Sequence, residues 1–164
     1  MTKPGITIDI PGFGKVQINA ILSDYTGTLA FSGKLVAGVK DRLLRLAQLA
    51  DIHVVTADSF GTAEEELKGL PLVCKRLEAE KEDVQKRRYA EELNPRYVAS
   101  FGNGNNDRLH LKAVKEAGGL AIAVENGEGC ALEAILNANL FVLGAVNALD
   151  LLLQLTRLRA TLRF

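Results

Sequence analysis

Short, almost uninterrupted apolar runs alternate with segments of helical periodicity from residue 20 to residue 143, and this alternation constrains the fold more than any other feature. Runs at 20–23, 52–55, 72–74, 97–101, 120–124 and 140–143 predict strands, and strands without polar alternation are covered on both faces. Between them, residues 38–50 place Val39, Leu43, Leu46, Ala47 and Ala50 on one helical face. Further helices are predicted over 62–68, 80–93, 106–117 and 130–138, with a closing helix lined by Val146, Leu149 and Leu153. The predicted architecture is therefore α/β: three-layer and Rossmann-like, a mostly parallel sheet with helices on both faces. The N-terminus differs. Residues 6–10 and 15–19 alternate apolar and polar around Pro11-Gly12-Phe13-Gly14, which predicts a β-hairpin over about residues 5–19.

The length of 164 residues suits one domain, expected to span 1–164. Lys plus Arg and Asp plus Glu number 20 each, so no bulk positive charge is available to hold a polyphosphate backbone. Trp is absent and Tyr and Phe are few, which disfavours base-stacking platforms. No nucleic-acid partner is expected. Cys74 and Cys130 have no metal-ligand spacing, and His53 and His110 are too few for a histidine-rich site. Met1 is followed by Thr-Lys-Pro-Gly rather than an apolar run, and the apolar stretch 134–155 is broken by Asn137, Asn139, Asn147 and Asp150. Neither pattern predicts a signal peptide or a membrane span, and a cytoplasmic location is expected.

In open parallel sheets, ligands sit beyond the carboxyl ends of the strands. That rule selects three segments. Asp24-Tyr25-Thr26-Gly27-Thr28-Leu29 puts a carboxylate at the end of a buried strand before a Gly-containing turn. Thr56 ends the next strand with a hydroxyl. Gly102-Asn103-Gly104-Asn105-Asn106-Asp107 joins a strand to a helix. Each has a structural reading as well: a turn cap, a helix N-cap and a tight turn rich in local hydrogen bonds.

Taken together and in order, the segments resemble the motifs of the haloacid dehalogenase (HAD) superfamily. Asp24 to Leu29 is similar to its D-x-[DT]-G-T-[LV] signature, and D-Y-T-G-T-L in particular resembles the D-K-T-G-T-L of P-type ATPases. Thr56 matches the second motif. Residues 102–107 match the fourth, usually G-D-G-x-N-D. The third is a lone lysine upstream of the fourth, for which Lys81 fits best and Lys86 is the alternate. The resemblance covers about residues 20–124 and is nearest to capless, soluble P-type-ATPase-like proteins. It implies a Mg²⁺-dependent phosphohydrolase acting through an aspartyl-phosphate on a phosphorylated small molecule or macromolecule. Asp24 would be the nucleophile. Thr56 and Lys81 would hold the phosphoryl oxygens. Asp24, the Thr26 carbonyl, Asn103 and Asp107 would form or anchor the metal shell.

The sequence departs from the pattern at two places. Most HAD phosphatases carry an acid–base Asp where this chain has Thr26, which predicts slow hydrolysis. Asn103 stands where the family has an aspartate metal ligand, which predicts weak metal binding until phosphate arrives. The short intervals from Asp24 to Thr56 and from Thr56 to Lys81 leave no room for a cap domain. An open site and an apolar C-terminal half are compatible with a homo-oligomer. Two other readings remain open: a catalytically impaired HAD fold serving phosphate binding or protein association, and a dinucleotide-binding module built on Gly102-x-Gly104 with Glu125 as the ribose-binding acid.

Overall fold

The structure is a computed structural model that describes residues 2–58 and 61–164. The chain opens with the expected hairpin, β1 (Ile6–Ile10) and β2 (Gly14–Ile18), paired antiparallel from Ile6↔Ile18 to Ile10↔Gly14. Next come β3 (Ala20–Ser23), the two-residue strands β4 (Ala30–Phe31) and β5 (Lys34–Leu35), α1 (Val39–Leu46), β6 (Asp51–Thr56), α2 (Ala63–Leu67) and β7 (Val73–Arg76). The second half holds α3 (Glu82–Glu92), β8 (Val98–Gly102), α4 (Arg108–Ala117), β9 (Leu120–Glu125), α5 (Leu132–Leu136), β10 (Leu140–Leu143), α6 (Ala145–Leu153) and α7 (Leu155–Leu162). Single 3₁₀ turns precede β8 and α4.

Six strands form one parallel sheet in the order β10-β9-β8-β3-β6-β7. Both faces are covered, as continuous apolar strands require. Ile21, Val54, Phe101, Ile122 and Val124 face a core shared with Leu43 and Leu46 of α1 and Leu149 and Leu152 of α6. The inner face of the hairpin (Ile6, Ile8, Ile10, Val16, Ile18) and Leu158 of α7 join that same core. Leu22, Val55, Ala121 and Ala123 face the opposite layer, which includes Ala90 of α3, Leu111 and Val114 of α4 and Ala134 of α5.

From β3 the chain builds outward through β6 and β7, then returns to the other side of β3 to build β8, β9 and β10. The order therefore reverses between β3 and β8, which makes the carboxyl ends of these two neighbours the switch point of the sheet. Asp24 leaves one side of it and Asn103 the other.

Two expectations on local structure are corrected. The helix expected over 38–50 ends at Leu46, and residues 47–49 form a turn. The closing segment is two helices, α6 and α7. The β4–β5 hairpin was not foreseen, because two-residue strands are too short to show a period.

Candidate active site

Asp24 follows β3 and is 5% exposed, with its backbone N–H bonded to the Phe101 carbonyl of β8. The neighbouring Lys86 of α3 is completely buried. Its ammonium donates to Asp24 Oδ1 at 2.9 Å and to Asp107 Oδ1 at 2.8 Å. The two acidic residues singled out in the sequence are thus brought together over one lysine ammonium.

This geometry corrects the choice of lysine. Lys81 is exposed, precedes α3 and has a positive φ of 52°. Lys86 shares the buried face of α3 with Ala90, four residues on. Five residues are about 140° out of phase on an α-helix, so Lys81 and Lys86 could not both face the sheet even if the helix reached Lys81.

Asp107 ends the 3₁₀ turn before α4 and is also fully buried. Oδ1 accepts from Lys86 and from His110 Nε2 at 3.0 Å, while Oδ2 accepts the backbone N–H groups of Asn103 at 2.9 Å and Gly104 at 3.0 Å. An ionised carboxylate offers about four lone-pair positions, and all are engaged. Asp107 therefore clamps Lys86 and the 102–107 loop, leaving no free lone pair for a cation. Gly102 makes the clamp possible, because a Cβ there would collide with the Asp107 carboxyl group.

The same two N–H groups are those a pyrophosphate would need in a dinucleotide site. Since Asp107 already occupies them, the Gly102-x-Gly104 pattern serves an internal carboxylate.

Asn103 follows β8, the neighbour of β3 in the sheet. Its Oδ1 accepts from Thr28 Oγ1 at 3.2 Å, and its Nδ2 donates to the Gly129 carbonyl at 3.2 Å. Thr28 Oγ1 also lies 3.3 Å from Asp24 Oδ2, so one hydroxyl spans the nucleophile candidate and the motif-four amide. Gly27, at φ 75°, lets this happen: a side chain there would run into the Asn103 amide. Thr56 is 2% exposed at the end of β6, and its Oγ1 accepts the Asp58 N–H at 2.9 Å, with no acceptor for its own proton among the described residues. Asp58 is a cap, as its position suggests: Oδ1 accepts the N–H groups of Thr62 and Ala63 at the start of α2. Thr26 Oγ1 is buried without a partner among the described residues.

Sequence reasoning missed Thr28 and His110 and ranked Lys86 second. Thr28 belongs to the quoted motif and could have been included with it. Lys86 had a signal in its four-residue spacing from Ala90. His110 is three residues after Asp107, on the same helical face.

Charge and burial work against each other here. Burial first, and then the Asp107 charge, push the Asp24 carboxyl up to about 7, although Lys86 pulls it down. Burial would raise Asp107 too, but Lys86 and His110 outweigh it and hold that carboxyl well below the usual range. Burial opposes the Lys86 charge, yet the two carboxylates raise its pKa above the ordinary lysine value. Lys86 is therefore a fixed positive charge. With Asp24 ionised, two carboxylates and one ammonium leave a single negative charge at the site; with Asp24 protonated the site is neutral.

The oxygens that could hold a metal are the Asp24 carboxylate and the Asn103 amide oxygen, which Thr28 Oγ1 links, with the Thr26 backbone carbonyl two residues after Asp24 in the chain. All are oxygens, which suits Mg²⁺. Among the described residues no group of three or more His, Cys, Asp or Glu side chains converges to hold a metal. The protein thus offers one carboxylate, and Mg²⁺ sites of that kind draw the rest of their shell from substrate phosphate and water.

Comparison with known proteins agrees with the fold. A 3-deoxy-D-manno-octulosonate 8-phosphate phosphatase from Moraxella catarrhalis, solved with magnesium, phosphate and KDO, superposes with TM-score 0.61 at 17% identity, over 89% of this chain and 94% of that one. BT1666 from Bacteroides thetaiotaomicron, a phosphatase of the HAD superfamily, gives TM-score 0.57 at 11% identity over 85% and 94%. No family model matches the chain. The topology, with Asp24 and Asn103 at the switch point, is that of the HAD fold. Within it, the chain belongs to the same family as the uncharacterized protein MJ0073 of Methanocaldococcus jannaschii, which is 41% identical over 86 residues, 50% of this chain and 88% of that protein.

Proposed function

We propose that the protein is a phosphohydrolase of HAD type in which Asp24 is the nucleophile. The observation that carries this reading is the buried Asp24–Lys86–Asp107 arrangement at the β3/β8 switch point. Asp24 Oδ2, the carboxylate oxygen not bonded to Lys86, attacks phosphorus. A P–O bond to Asp24 forms as the bond to the leaving oxygen breaks, and the leaving oxygen takes its proton from solvent. Lys86 and the Thr56 hydroxyl neutralise and orient the phosphoryl oxygens, the kind of positioning that dominates phosphoryl transfer. Asp24, the Thr26 carbonyl and Asn103 would hold Mg²⁺, which when bound supplies Lewis-acid charge neutralisation. Substrates are phosphorylated molecules.

Thr26 cannot serve as the acid and base of the two half-reactions. The phospho-enzyme therefore outlives its formation. Incubation with Mg²⁺ and acetyl phosphate should yield protein carrying one phosphoryl group, visible by intact mass and released by hydroxylamine. Asp24→Asn should show none. Thr26→Asp should speed turnover of a generic phosphate ester by about 10²-fold, the lower end of general acid–base contributions. An unphosphorylated wild type that still binds phosphate would favour the phosphate-sensing reading and end this one.

The single carboxylate also sets the order of binding. Mg²⁺ affinity by calorimetry should be at least tenfold higher with a phosphate analogue present than without. Asn103→Asp should strengthen binding of the metal alone. Equal affinities with and without the analogue would contradict the assigned donor set.

A further inference from the structure

His110 is fully buried on α4, and its Nδ1 has no hydrogen-bond partner among the described residues. A core histidine placed only to fill space is a poor choice, because one buried ring nitrogen is left unsatisfied. The other nitrogen explains it. A carboxylate only accepts, so Nε2 carries the proton donated to Asp107 Oδ1. Burial lowers the His110 pKa and so favours the neutral ring.

The bond has leverage because of what Asp107 holds. On Oδ1 His110 shares the carboxylate with Lys86, which reaches Asp24; on Oδ2 lie the N–H groups of Asn103 and Gly104. With three donors instead of four, the Asp107 carboxylate has an unsatisfied lone pair and freedom to rotate. Lys86 and the backbone carrying the Asn103 amide would then lose their common reference.

We propose that His110 is a positioning residue of the site: through one Nε2–H bond it fixes the Asp107 carboxylate, and through Asp107 it fixes both the Lys86 ammonium and the Asn103–Gly104 backbone. Its catalytic consequence rests on the phosphohydrolase reading above; its structural consequence does not.

The two are separated by comparing His110→Leu with His110→Gln. Leucine fills the cavity without a donor. Glutamine extends an amide N–H close to the position of Nε2, whereas a shorter asparagine would not reach. Amide hydrogen exchange is read at Asn103 and Gly104 and phosphate-ester turnover is measured alongside. The expected result is exchange about tenfold faster in the Leu variant at these two amides, with the β9 amides unchanged, and recovery in the Gln variant. kcat should fall about tenfold in Leu with little change in KM, and recover in Gln.

A space-filling histidine predicts the reverse order, since leucine suits an apolar pocket better than glutamine. Unchanged exchange in a folded Leu variant, or a Gln variant as fast as Leu, would overturn the positioning role. Faster exchange restored by Gln, in a protein without hydrolytic activity in any form, would uphold the positioning role and remove the phosphohydrolase reading instead. Should the Leu variant fail to fold, His110→Met is read in its place, with the same two outcomes deciding.

Discussion

Lys86→Met should remove activity by more than about 100-fold and cost about 3–5 kcal/mol of stability, the range for breaking a buried ion pair by removing one partner. The cost comes from what is left behind. Asp24 and Asp107 are at most 5% exposed and share the Lys86 ammonium, so its loss leaves two buried carboxylates without the positive charge between them, although Asp107 keeps its bonds from His110, Asn103 and Gly104. Urea denaturation reads the stability, and phosphate-ester turnover reads the activity. Adding Asp24→Asn to Lys86→Met should recover part of the lost stability but no activity. Residues in direct contact are not additive, and the double variant removes the repulsion along with the nucleophile. Lys81→Met should change stability by no more than about 0.5 kcal/mol, the usual range for a surface substitution. A folded Lys86→Met protein of normal stability and activity would mean that the buried triad has no part in the chemistry.

The second large effect is opposite in sign for stability and activity. Asp24→Asn should abolish turnover yet stabilise the metal-free protein above neutral pH. The folded-state pKa of Asp24 lies at about 7 against an ordinary 3.8. A carboxyl raised on folding binds more protons in the native state, so it makes stability fall as pH rises between those two values. Each pKa unit is worth roughly 1.4 kcal/mol, so the penalty above pH 7 amounts to several kcal/mol. Asparagine keeps an oxygen for the Lys86 bond and carries no charge to desolvate. Its melting temperature should therefore exceed that of the wild type at pH 8 by several degrees or more, since each kcal/mol moves a domain of this size by about 2–4 °C. The gap should close toward pH 4. Asp107 titrates in the other direction. Its pKa is depressed, so its contribution is present above the ordinary carboxyl value and is lost only in more acidic solution, outside this window. Mg²⁺ should recover stability in the wild type at pH 8 and leave Asp24→Asn almost unmoved, because a cation relieves the charge that burial makes expensive. A wild type whose stability is flat from pH 4 to 8 would show that Asp24 carries no such strain.

The alternation of strands and helices, the covered sheet and the N-terminal hairpin were legible because their signals are local. Apolar runs report two covered faces, and a period of two reports one. Asp24, Thr56 and Asn103 were legible because strand ends at a switch point are where ligands sit, and the motifs mark those ends. The lysine was not legible in the same way. Residues 81–92 are charged or polar on nearly every side, so no apolar stripe fixes which way α3 faces. Its rotation is set by packing against α4 and the sheet, and that rotation turns Lys86 inward and leaves Lys81 outside. The same packing gives Asp107 its four donors and His110 its task. The sequence by itself determined which side chains stand at the carboxyl edge of the sheet. Only the tertiary structure decided which of them share a charge, because desolvation and hydrogen bonding act across elements that are distant in the chain.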